Sequence, residues 1–86
     1  MNENERIVAA QGPAQVSTQE LADLLRSYEE SFSRQPPERV VVADGSDTAL
    51  AAALVAAKLL IPLEARVSAS QAATANGLVI AQLAAA

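Results

Sequence analysis

The chain has 86 residues, a formal net charge of −4, no cysteine and no histidine. That excludes disulfides, thiolate zinc sites and any imidazole acid–base step, and the acidic balance argues against a nucleic-acid partner, which needs clustered Lys and Arg. Twenty residues are Ala and only Tyr28 and Phe32 are aromatic, so one domain with a thin core is expected, marginal when alone.

The charge is uneven. Residues 1–38 hold seven acids and three bases, a balance of −4, while residues 39–86 hold three of each and none after Arg66. Surfaces normally keep charges for solubility, so the uncharged last quarter implies that something covers it. The longest uncharged apolar run, residues 48–57, is well short of the roughly 18 residues that would span a bilayer. The start, MNENERIVAA, is polar and acidic, unlike a signal peptide. The expected setting is the cytoplasm, with no membrane partner.

Residues 1–15 are expected as a flexible or loosely docked arm with a Gly12-Pro13 breaker, although Ile7 to Ala10 has the composition of a short strand. A single small domain is expected over 16–86. Its first helix is well signalled. Ser17 and Glu20 make a capping box, and Val16 and Leu21 take the two staple positions. Leu21, Leu24, Leu25, Tyr28 and Phe32 recur at helical spacing, with Pro36-Pro37 ending the helix near Ser33.

Residues 39–43 read as a strand. The run Val40-Val41-Val42 suits a strand covered on both faces, as in parallel sheets. A turn follows at 44–47, then a helix from Thr48 to about Leu60, stopped by Pro62. That helix carries one charge, Lys58, and is otherwise apolar round its circumference, so it needs cover on more than one side. Lys58 is expected to extend to the rim. Leu63 to Val67 alternates apolar and charged residues, as in an edge strand or one with a wet face. There Glu64 and Arg66 share a face as a solvated pair.

Ser68 and Gln71 offer a second capping box, with Val67 and Ala72 as its staple. The reading adopted for the last segment is one helix from about Ala69 to Leu83, interrupted at Asn76-Gly77. The rival is a short helix, a turn, and a strand at Leu78 to Ala81. The fold class is therefore α/β, a small Rossmann-like fragment with a short parallel sheet flanked by helices.

The candidate ligand-binding residues are Asp44, Gly45, Ser46, Asp47 and Thr48. They stand at the C-terminal end of a parallel strand, where open α/β folds place ligands, and they open a helix whose free amides attract anions. A structural role competes. Ser46 or Asp47 serves as N-cap, Asp47 complements the helix dipole, and Gly45 offers the turn a positive φ. Phosphate is a poor guess beside two carboxylates with no cation in the turn. Two carboxylates alone make a weak metal site; no metal, cofactor or catalytic residue is expected.

This stretch resembles the N-terminal domain of the non-hydrolysing UDP-N-acetylglucosamine 2-epimerases. The matching pieces are Gln35-Pro36-Pro37-Glu38, Val40-Val41-Val42, Gly45-Ser46-Asp47-Thr48, Leu50-Ala51-Ala52-Ala53-Leu54 and Ile61-Pro62-Leu63, within about residues 18–67. The resemblance implies a Rossmann-like fold and a nucleotide-sugar site at Gly45, Asp47 and Thr48. The chain departs from the family where Ser46 separates Gly45 from Asp47. At the family's His-x-Glu-Ala-Gly run it reads Ala65-Arg66-Val67-Ser68-Ala69, without histidine or acid.

The expected function is a non-catalytic interaction or self-association module, with a homo-oligomer or a larger protein as partner. The surface expected to associate runs over residues 49–57 and 69–86, with Ala53, Ala57, Ala73, Val79 and Leu83 as interface candidates. The alternative is a nucleotide-sugar-binding subunit or vestige related to the epimerase. No enzymatic activity is expected.

Overall fold

The computed structural model describes residues 7–10, 12 and 15–85. Its valine run forms the middle strand, but the expected cover on both faces is corrected: Val40 and Val42 are buried while Val41, on the face without a described helix, is only half-buried. Strands β1 (Ile7–Ala10), β2 (Arg39–Val42) and β3 (Leu63–Ala65) are parallel and lie in that order. Val8 pairs with Val40 and Ala10 with Val42 on one side, and Leu63 and Ala65 take the same positions on the other. Side chains alternate along a strand, so these six share a face. Ala10, Val40 and Val42 are buried there, and Val8, Leu63 and Ala65 pack against the same core. Ile7, Ala9, Arg39, Val41 and Glu64 take the other face, exposed or half-buried, and no described helix covers them. Arg39 and Glu64 pair there at 3.4 Å.

Ile7 to Ala10 therefore belongs to the sheet rather than to an arm. Pairing with β2 satisfies its backbone groups and buries Ala10, a benefit that depends on a strand 32 positions away in register. Residues 1–6, 11, 13 and 14 of the expected arm lie outside the described residues.

Four helices follow: α1 (Thr18–Arg34), α2 (Asp47–Lys58), α3 (Ala69–Ala72) and α4 (Ala75–Ala85). In α1 both halves of the capping box are present: Glu20 N donates to Ser17 Oγ at 3.1 Å, and Ser17 N to Glu20 Oε1 at 3.4 Å. The helix ends at Arg34, one residue past the expected position. Phe32 is fully buried, with the Tyr28 ring 5.4 Å from it. Burial of Phe32, Ile80, Val40 and Val42 supplies most of the large core side chains, each stabilising by roughly 1.5–3 kcal/mol.

α2 lies against all three strands, with α1 and α4 packed against it. Seven of its 12 residues are buried: Thr48, Ala49, Ala51, Ala52, Ala53, Val55 and Ala56. Small side chains let sheet and helices approach it from several sides. This corrects the association surface expected at 49–57. The cover that this apolar helix requires is supplied within the chain, and Ala53, with no exposed surface, is not available to a partner. Lys58 does extend outward, and meets Glu29 of α1 at 3.3 Å.

α2 ends in a Schellman motif. Leu60 N donates to Ala57 O at 3.2 Å and Ile61 N to Ala56 O at 2.8 Å, which satisfies carbonyls that the last turn leaves free. Leu60 carries the positive φ this needs, 60°, and among the described glycines none has a positive φ. The expectation for Gly45 is thus corrected: Asp44 closes that turn through Ser46 N without a left-handed residue. A leucine in this conformation costs about 1–2 kcal/mol.

β3 ends at Ala65 rather than Val67 and forms one edge of the sheet, as its alternation implies. The last segment is two helices, with the break at Ala73-Thr74 and not at Asn76-Gly77. Thr74 is the reason. Its hydroxyl accepts from Gly77 N at 3.1 Å and donates to Gln71 O at 2.6 Å, while its carbonyl accepts from Leu78 N. It thereby closes α3 and caps α4. Leu78 to Ala81 is helical, with Ile80 buried against the core, so the rival strand is not formed.

Candidate functional site

The turn after β2 is built from short-range caps. Asp44 Oδ1 accepts from Ser46 N at 3.0 Å. Ser46 is the N-cap of α2, and its Oγ accepts from Ala49 N at 3.0 Å. Ser46 and Thr48 are buried.

Around this turn the fold gathers residues from far along the chain. Asp47 Oδ2 accepts from Val16 N at 3.0 Å, and its Oδ1 from Asn76 Nδ2 at 2.7 Å. The same Asn76 nitrogen also donates to Gly45 O at 3.0 Å, and Gly45 N donates to Gln71 Oε1 at 2.9 Å. Asp47 thus joins the entry to α1, the start of α2 and the first turn of α4. The Val16 amide first and the Asn76 amide second hold its carboxyl below its ordinary pKa, against a smaller opposing effect of desolvation.

This wiring corrects the second capping box. Ser68 Oγ accepts from Gln71 N at 3.4 Å, but the Gln71 side chain reaches Gly45 instead of returning to the Ser68 amide. A capping glutamine is free to leave when a better-placed donor lies within reach, and Gly45 N is that donor. Sequence reasoning missed Val16, Gln71, Thr74 and Asn76 as members of this region. Asn76 read as half of a turn pair, and no local pattern marks a partner 26–31 residues away.

Above the turn lies a cavity of about 530 Å³, bordered by Val16, Gly45, Asp47, Gln71, Thr74 and Asn76. It combines amide and hydroxyl groups with one carboxylate and has no cationic lining residue, so a phosphate would meet Asp47 uncompensated. Asp44, Gly45, Ser46 and Asp47 stand together in the turn, as expected, and Thr48 is buried beneath it. Among the described residues no group of three or more Asp, Glu, His or Cys is placed to hold a metal ion.

The remaining interface candidates do not share one region: Ala73 caps the end of α3, next to Thr74 of the turn cavity, and Val79 lies within α4. Ala73 and Val79 are exposed. Ala57 and Leu83, half-buried, line an apolar cleft of about 300 Å³ with Leu60, Ile61, Pro62, Leu63 and Ala84. Glu64 stands between Arg39 and Arg66 and pairs with both. No described helix is long and apolar enough to cross a membrane.

Compared with known protein families, curated proteins and solved structures, the chain matches none of them.

Proposed function

We propose that this chain is a cytoplasmic, non-catalytic association module that binds a second copy of itself or a larger protein through α4 and the loop after α2. The observation that carries this reading is a set of large apolar side chains left in water on uncharged segments. Leu60 is 90% exposed, Leu78 59% and Val79 42%, and no charged residue occurs from 67 to 86. Leu78 and Val79 are neighbours on α4 and Leu60 stands in the loop after α2, and exposed large apolar side chains on uncharged segments are where a protein partner finds apolar area to bury. The turn after β2 supports the non-catalytic half. Both Asp47 oxygens are already held by amides, and the chain has no histidine to act beside it.

The test is analytical ultracentrifugation of the wild type with Val79→Glu and Ala73→Glu. Wild type is expected above the 8.9 kDa monomer mass, and Val79→Glu at or near it, because association would have to bury an unpaired charge. A monomeric wild type, with both variants folded and unchanged, would refute self-association.

A second reading is the one the epimerase resemblance implies, binding of a nucleotide sugar; the cavity above the turn supports only its sugar end, with the diphosphate held clear of Asp47. The cavity lies at the C-terminal end of β2, where such folds hold ligands, and its amides and hydroxyl suit a sugar better than a phosphate. A concentration-dependent rise in thermal midpoint with UDP-N-acetylglucosamine would move the assignment to this reading.

A further inference from the structure

We infer that Asn76-Gly77 is a site of covalent self-modification gated by the fold: the Asn76 side chain deamidates through the Gly77 nitrogen only when the α3–α4 junction opens, and the product cannot close that junction again. The inference draws on the contacts around the turn after β2 and is independent of the association reading.

Asparagine is among the thermolabile side chains. Asn-Gly is its most labile setting, because glycine has no side chain to hinder the attack of its own nitrogen on the asparagine amide. The sequence has this pair once, at 76–77, and the structure gives each residue a reason to be there. Asn76 Nδ2 donates to Gly45 O at 3.0 Å and to Asp47 Oδ1 at 2.7 Å, which fastens the start of α4 to the start of α2. Gly77 is buried, and a Cβ on it would collide with the backbone of Gln71 and Ala72. While the junction is closed, the same contacts block the reaction. Gly77 N donates to Thr74 Oγ1 at 3.1 Å, so it is held protonated, whereas attack needs it deprotonated. The Asn76 amide is pinned at two acceptors, and the helical backbone at 76 would have to rotate before a succinimide ring could form.

On opening, the Gly77 nitrogen loses its proton and bonds to Cγ of Asn76. The Cγ–Nδ2 bond breaks, and the amide nitrogen leaves as ammonia with that proton. Water then adds to the succinimide. Attack at Cγ breaks its bond to the Gly77 nitrogen and gives aspartate. Attack at the main-chain carbonyl of residue 76 gives isoaspartate, which routes the backbone through the side chain and adds one methylene to it. Either product replaces the donor by a carboxylate facing that of Asp47. Two amides hold the Asp47 pKa below its ordinary value, so both groups are ionised at neutral pH and repel. The Gly45 carbonyl loses its donor as well. A carboxylate in the first turn of α4 suits the helix dipole. That solvent-screened gain does not offset two lost hydrogen bonds, one of them to a charged group, and isoaspartate breaks the turn outright.

The test follows the reaction by mass. No Lys or Arg occurs after Arg66, so trypsin releases residues 67–86 in one piece with Asn76 as its only asparagine, and deamidation replaces NH2 by OH in that piece. The full chain is incubated at mildly alkaline pH, either folded or in guanidinium chloride, and then digested. The expected result is conversion in denaturant and conversion at least about tenfold slower in the folded chain, since reaction there waits on local opening. Thr74→Ala frees the Gly77 amide and should raise the folded rate severalfold while leaving the denatured rate unchanged. Asn76→Asp, which installs the product, should have a lower thermal midpoint than wild type or no cooperative transition. No conversion in denaturant, equal rates in the two states, an unchanged folded rate in Thr74→Ala, or an Asn76→Asp chain as stable as wild type would each overturn the inference.

Discussion

Replacing Gly77 by alanine sets two effects against each other. Gly77 lies in the first turn of α4, and at a helical position alanine is favoured over glycine by about 1 kcal/mol. Propensity alone makes Gly77→Ala stabilising. Packing says the reverse. An added Cβ would stand 2.1 Å from the carbonyl oxygen of Gln71 and 2.8 Å from Cα of Ala72. Both are backbone atoms, so no side-chain rotation relieves them, and α3 and α4 must part by on the order of 1 Å to restore van der Waals contact. Overpacking of this kind costs about 1–3 kcal/mol. Parting the helices also disturbs the bonds from Gly45 to Gln71 and from Asn76 to Gly45, each worth about 1 kcal/mol. After the propensity gain is subtracted, the net loss is about 1–3 kcal/mol. In a domain of this size that lowers the thermal midpoint by roughly 5–20 °C. The assay is urea and thermal unfolding followed by far-UV circular dichroism at one fixed protein concentration. Gly45→Ala is the control: its Cβ would meet Gln71 Oε1 at 2.9 Å and Thr74 Oγ1 at 3.0 Å, side-chain atoms that need yield only a few tenths of an ångström at the expense of their own hydrogen bonds, with no parting of backbone, so its loss should be smaller. A neutral or stabilising Gly77→Ala, or a Gly45→Ala that costs more, would refute the argument.

Ser17→Ala should destabilise by about 1 kcal/mol and Glu20→Ala by less. Because the two side chains share one box, the double variant should fall short of additivity; strictly additive losses in chemical denaturation would contradict the observed cap. Asp47 has a folded pKa below its unfolded value. Its contribution is therefore present above the unfolded value of about 3.9 and is lost as pH falls through the folded one. Asp47→Asn should lower the thermal midpoint at neutral pH and flatten its fall below about pH 4; wild-type and variant curves that run parallel over that range would contradict this.

Legibility in the sequence followed the range of the interactions. The capping box at Ser17 and Glu20 and the valine strand depend on residues within about five positions and were readable; the α2 cap was narrowed only to Ser46 or Asp47, and the helix end was readable only as near Leu60, where α2 stops at Lys58. Repeated side-chain chemistry also carried the parallel α/β class, because strand-like and helix-like stretches alternate along the chain, although the valine run implied cover on both faces and the described helices cover one. The candidate turn was readable as a place, at the end of β2, but not as an arrangement. Asp47 is committed to Val16 and Asn76, and Gly45 to Gln71, over separations of 26–31 residues that leave no local trace.

Tertiary structure alone decided the rest. Ala53 and the residues around it look identical in sequence whether they face water, a partner or the chain's own helices, and only the placement of α1 and α4 shows that they are buried. Gln71 was able to return to Ser68 or cross to Gly45, and the geometry of the α3–α4 junction selected Gly45. Leu60 shows the limit most clearly. Local preference would put glycine there, while the hydrogen bonds of Leu60 and Ile61 back to α2 force the left-handed turn and leave the leucine in water. Caps and periodicity are short-range properties that a sequence carries openly. Burial and long-range hydrogen bonds depend on which distant segments arrive beside them, and that is settled only when the chain has folded.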